Sequence, residues 1–191
     1  MANHFELAVR DQTLGNDDEA LKHYRAVLAS DALNVQAHNN LGLLYHRRGK
    51  TQDAVDQFRQ ALALDPQYVK ARSNLAVALM EAGRLPEARA EVRAAMALEP
   101  RNTDLIVNLA LVEKADHHRE RAIELLVRAT GDQPTNALAH YNLALAYDEQ
   151  GTTARAYDHF NKFIAHAGPE HAALVSDVRR RLTALSTQLA R

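Results

Sequence analysis

Ten histidines in 191 residues raise the question of a bound metal, and cysteine is absent. Metal chemistry needs side chains that converge on one ion. His117 and His118 are adjacent at a predicted turn, where neighbouring side chains seldom face one point. His166 and His171 flank Gly168-Pro169 and meet only if that turn folds them together. His4, His38 and His140 share one slot of a 34-residue period, so they sit on different elements. The expectation is surface and packing histidines without a functional metal. Asp17-Asp18 and Asp148-Glu149 are sequence neighbours, which suits loops and helix ends better than a shared acid–base proton. No Gly-rich phosphate loop, GxSxG or HExxH occurs. Lack of Cys removes disulfides, thiolate-ligated zinc, iron–sulfur clusters and thiol nucleophiles. The residues therefore predict no catalytic residue, no cofactor and no enzymatic activity.

The most regular polar residues are asparagines. Asn40, Asn74, Asn108 and Asn142 stand 34 residues apart, with Glu6 in the first slot. An amide offers a donor and an acceptor, the pair of groups that an extended main chain presents. The elements that must position these amides keep the same interval. Ala20, Ala54, Ala88, Ala122 and Ala156 follow it, as do Leu7, Leu41, Leu75, Leu109 and Leu143. Glycine follows it at Gly15, Gly49, Gly83 and Gly151, with His117 in the missing slot, and proline at Pro66, Pro100 and Pro134. Within one period, Leu41, Leu44 and Tyr45 share a face of a first helix, and Ala54, Val55, Phe58, Ala61 and Leu62 a face of a second. Gly49 suits the left-handed residue that ends the first helix, and Pro66 blocks continuation of the second. Small residues at Gly42, Ala54 and Ala61 let the two antiparallel helices approach closely.

The stretch from Ala37 to Pro66, AHNNLGLLYHRRGKTQDAVDQFRQALALDP, resembles the tetratricopeptide repeat family. The likeness covers residues 1–170 as five units, 1–34, 35–68, 69–102, 103–136 and 137–170. It implies an all-α fold, a right-handed superhelical solenoid of antiparallel helix pairs. Asp11 and Glu113 occupy a column that is usually apolar or aromatic, and with His117 in the glycine slot altered helix packing or an altered turn is expected in the fourth unit. His117 is expected to tolerate the positive φ that its slot demands. After Gly168-Pro169, Leu174, Val178, Leu182, Leu185 and Leu189 form one helical stripe, which predicts a capping helix over residues 171–191. A helix lying on a membrane surface is the other reading of a segment with three consecutive arginines.

The resemblance implies a binding surface on the first helices, which line the concave face in this family. Asparagine rows of this kind hold extended peptides in related proteins. Here the row is open to two readings, contact with a ligand or hydrogen bonding between helices. The ninth column adds an apolar strip of Leu43, Val77, Leu111 and Leu145, preceded by Val9. The fifth column adds Phe5, Val107 and Tyr141. His46, Arg47 and Lys70 lie in the N-terminal half, and Asp148 with Glu149 near the C-terminal end, suggesting a groove of split charge. The carboxylate clamp of heat-shock co-chaperones is not supported, because its five columns read Phe5, Val9, Asn40, Lys70 and Asn74.

The expected partner is thus a protein or peptide segment in the groove. Self-assembly through an uncapped first unit bearing Phe5, Leu7 and Val9 is an alternative, as is a regulatory segment of a larger enzyme. A net charge of −1 argues against nucleic acid. No run of apolar residues is long enough to span a membrane, and no signal segment is visible, so a cytoplasmic location is expected.

Overall fold

The computed structural model describes residues 3–190. They form eleven α-helices, and no strand occurs among them. The chain divides into two compact units, residues 1–100 and 101–191.

The first unit contains α1 (His4–Thr13), α2 (Asp17–Ser30), α3 (Val35–Arg47), α4 (Thr51–Leu64), α5 (Val69–Glu81) and α6 (Leu85–Leu98). They pack as pairs, α1 on α2, α3 on α4 and α5 on α6, and each pair stacks on the next. Its core is built from the columns that keep the 34-residue interval, among them Tyr24, Leu41, Phe58, Leu75 and Val92. Close approach of α3 and α4 depends on Gly42. A methyl group there would lie 2.6 Å from the buried ring of Phe58.

The second unit contains α7 (Thr103–Ala115), α8 (Arg119–Asp132), α9 (Ala137–Glu149), α10 (Thr153–His166) and α11 (Ala172–Leu189), with a 3-10 turn over Pro169–His171. Helices α7 and α8 pair, α9 and α10 pair, and α11 packs on α10. Val178 and Leu185 of α11 are buried, Leu174 and Leu182 half-buried, and Leu189 is exposed. Arg181 of α11 donates two hydrogen bonds, 2.7 and 2.6 Å, to the carboxylate of Asp148 on α9. Arg180 pairs with Asp177 on its own helix.

Every helix pair turns in the same way. Gly15, Gly49, Gly83 and Gly151 have φ between +69° and +78°, and His117 takes the slot at +63°. The residue after each donates to the carbonyl five positions back, Asn16 to Asp11, Lys50 to Tyr45, Arg84 to Leu79, His118 to Glu113 and Thr152 to Tyr147. This closure satisfies the last carbonyls of each first helix.

The local alteration expected in the fourth unit, with Glu113 and His117, is therefore absent from its turn, and Asp11 fills the same column in the first. Both carboxylates are 5% exposed. Glu113 accepts from His118 Nδ1 at 2.9 Å, and Asp11 accepts from Arg10 at 3.2 Å with His23 Nε2 3.7 Å away. A buried charge is tolerated where cationic or polar partners meet it, and both sites supply one.

Candidate functional site

In the first unit the asparagines are part of a hydrogen-bonded relay. Asn74 Nδ2 on α5 donates to Asn39 Oδ1 on α3 at 2.9 Å, and Asn39 Nδ2 donates to Asn40 Oδ1 at 3.1 Å. Asn40 Nδ2 then donates to the Tyr24 hydroxyl on α2 at 3.1 Å, which donates to Gln12 Oε1 on α1 at 2.7 Å. One polar chain thus ties α5, α3, α2 and α1. Asn39 lies at its centre, 3% exposed, while Asn40 and Asn74 are half-buried. Burial raises the Tyr24 phenol above its ordinary value, opposed by the Asn40 bond.

Leu43 and Val77 are half-buried on α3 and α5, three residues beyond Asn40 and Asn74. Lys70 is exposed at the start of α5. Arg47 donates to Asp17 on α2 at 2.7 Å, Arg48 to Asp18 at 2.6 Å, and His46 meets Glu81 on α5 at 2.8 Å.

In the second unit Asn108, Leu111, Tyr141, Asn142 and Leu145 are all half-buried. Asn142 Nδ2 donates to the carbonyl of Leu138 on its own helix at 2.8 Å. The Tyr141 ring leans on Phe163, centroids 5.2 Å apart. Val107 is 4% exposed and belongs to the core. The fifth column is therefore interior at Asn39 and Val107, where it packs within the unit, and half-buried at Phe5 and Tyr141. The acidic residues also have partners, Asp148 with Arg181 and Glu149 with Lys114 at 2.6 Å. Arg47, Asp148 and Glu149 thus spend their charge on ties between helices.

The column shared by His4, His38 and His140 faces the partner helix. In four of the five helix pairs it meets the residue 19 positions on. His4 Nδ1 lies 3.0 Å from His23 Nδ1, His38 Nδ1 2.8 Å from Gln57 Oε1, and His140 Nδ1 2.9 Å from His159 Nδ1. Arg72 donates to Glu91 at 2.6 Å. In the remaining pair the two positions are the buried Ile106 and Leu125. Three of these residues also bind the carbonyl six positions back. His38 reaches Ala32, Arg72 reaches Pro66 with two N–H groups, and His140 reaches Pro134 at 2.9 Å. Each is a bracket joining a first helix, its second helix and the preceding turn. Reading the offset of 19 across the five units would have revealed it.

Burial lowers His140 below the ordinary imidazole value. His159 is pushed down to about 4, by burial first and then by the charges of His140 and Lys162. His166 stacks on His140 at 6.2 Å, and His171 meets the edge of Phe163 at 6.2 Å. Among the described residues no group of three or more His, Cys, Asp or Glu converges to hold a metal ion.

One tetratricopeptide repeat profile matches residues 5–68 and 107–172, and a second matches residues 45–112. The chain belongs to the tetratricopeptide repeat family. Proteins of this family are generally scaffolds for protein interaction. No curated protein matches the chain in sequence. Among solved structures, it is similar to TTC0263, a thermophilic tetratricopeptide repeat protein of Thermus thermophilus, with a TM-score of 0.79 and 22% identity over 97% of this chain and 98% of that one. It is also similar to MamA, with a TM-score of 0.68 and 26% identity over 84% of this chain and 94% of that one. A third likeness is to YrrB, a tetratricopeptide repeat protein with an unusual peptide-binding site, with a TM-score of 0.62 and 19% identity over 91% of this chain and 90% of that one. These likenesses establish the fold. No described helix is long and apolar enough to cross a membrane.

Proposed function

We propose that this tetratricopeptide repeat protein is a non-enzymatic scaffold that holds an extended peptide segment of a partner on its first-helix faces. The supporting observation is a recurring pair. Asn40 with Leu43, Asn74 with Val77, Asn108 with Leu111 and Asn142 with Leu145 each place an amide and an aliphatic side chain three residues apart, half-buried on one helix face. Such a pair suits a peptide, because the amide meets main chain and the aliphatic group meets a side chain. Lys70, exposed on α5, adds a preference for acidic residues, with a smaller contribution from Arg47 because Asp17 already holds it. Tyr141 extends the apolar surface beside Asn142.

The asparagines divide by what already holds them. Asn40 and Asn74 are committed to the relay, whereas Asn142 is bonded to its own helix, a tie that a ligand can replace at little cost.

Peptides selected from a random displayed library on the immobilised protein supply the probe. Asn142→Ala combined with Leu145→Ala should weaken their binding at least about tenfold, roughly 1.4 kcal/mol, at unchanged helicity. Unchanged affinity in that variant, measured by fluorescence anisotropy, rejects the reading.

A further inference from the structure

A cleft of about 380 Å³ opens between the end of α8, the turn after it, α9 and α10. Val127 and Pro134 give it an apolar rim, and His159, Lys162 and His166 line it together with His140. We infer that this cleft is an oxyanion site, binding a carboxylate or phosphate group beside Lys162 together with one proton taken up by the His140–His159 pair.

The hydrogen bonds fix where that proton goes. The Pro134 carbonyl only accepts, so His140 Nε2, 2.9 Å away, carries hydrogen. Neutral His140 then has a bare Nδ1, and His159 Nδ1, 2.9 Å from it, must be the donor. His159 Nε2 is left as the bare nitrogen of the pair. One proton adds there without breaking a bond. A second would have to add at His140 Nδ1 and would set two N–H groups against each other. The pair therefore stores a single proton.

Without a ligand that proton is held poorly, because burial, His140 and Lys162 all oppose the charge. Beside His159 are Asp158 and Lys162 on its own helix and His140 and Tyr147 on α9. The Tyr147 ring is 5.7 Å away with the Arg155 guanidinium 5.4 Å over it, while His166 stacks on His140 and lines the same cleft. From the end of α8 and its turn come Val127, Thr130, Gly131 and Pro134, none of them charged. Lys162 donates to Asp158 at 2.7 Å, which leaves two of its N–H groups for a ligand. An oxyanion seated there supplies the negative charge that an imidazolium lacks, so anion and proton bind together. A cation would meet Lys162 as a like charge.

The same imidazole pair in the first unit already has its acid. His23 Nε2 lies 3.7 Å from a carboxylate oxygen of Asp11. At the column of Asp11, the last helix pair carries Tyr147 instead. In the second pair the nearby carboxylate, Asp158, is already held by Lys162 at 2.7 Å.

The test is the His159 protonation midpoint, read from long-range imidazole ¹H–¹⁵N spectra at matched ionic strength. Two probes are compared with sodium chloride alone, inorganic phosphate and an acetylated triglutamate peptide. At saturation the midpoint should rise from about 4 by about one unit, a tenfold preference of the anion for the protonated pair. A shift with phosphate alone identifies a free ion. A shift with the peptide identifies a group carried by a partner, and either supports the site. Lys162→Met should abolish the shift. His159→Gln copies the His38–Gln57 tie of α3 and α4, so it should fold and bind phosphate without proton uptake. A midpoint that neither probe moves, or an equal shift in Lys162→Met, overturns the assignment.

Discussion

His117 is the one described non-glycine residue at positive φ, and its imidazole is exposed. An L side chain strains the left-handed region and glycine does not. His117→Gly should therefore stabilise the protein by about 1 kcal/mol, seen as a higher denaturant midpoint at unchanged slope. This position was legible in sequence, because four glycines in register mark what the fifth slot requires. Asp11 and Glu113 were less legible. Their column announced a departure, but the partners that make burial tolerable, His23 and His118, lie on the following helix or turn. The relay through Asn39 was hidden for the same reason. Its members are dispersed from Gln12 to Asn74, and only packing brings them within hydrogen-bonding distance.

Each first helix is specified locally, by its apolar stripe and its left-handed stop, and most carry a residue that brackets them to their neighbours. The bracket is polar at Arg72 with Glu91, and the same two positions take an apolar form in the buried Ile106 and Leu125. Side-chain exposures of 20% and 27% leave Arg72 and Glu91 partly desolvated, so removing one strands the other. Arg72→Ile or Glu91→Leu alone should cost about 1–3 kcal/mol. The double variant, which copies the apolar form, should cost less than the sum, with a coupling of about 1 kcal/mol in a double-mutant cycle. Additive losses in urea melts would show that the ion pair contributes nothing of its own. Arg47, Asp148 and Glu149, expected from the sequence to lend a groove its charge, each have an opposite charge on a neighbouring helix.

For the whole molecule, acid should be the weak side. His159 has a folded value of about 4, below the ordinary 6.5, so the unfolded chain binds more protons between those values. Stability from this group is present above pH 6.5 and is lost as the pH falls toward 4, with a slope of at most about 1.4 kcal/mol per pH unit. His159→Gln removes the titration and should flatten that part of the profile, measured as the denaturant midpoint against pH. Equal acid slopes in the two proteins would assign the loss to carboxylates elsewhere.

The amino-acid sequence by itself determined the all-helical fold, the places where first helices turn into second ones and the family. These follow from spacing along the chain, and a 34-residue interval displays spacing directly. The tertiary structure alone decided which polar groups are already spent. Asn40 and Asn74 bond to other helices while Asn142 bonds to its own, and two histidine pairs form, the first beside the Asp11 carboxylate and the second beside an Asp158 that Lys162 already holds. Whether a polar side chain is free for a partner depends on neighbours brought in by packing, and periodicity identifies the column without identifying those neighbours.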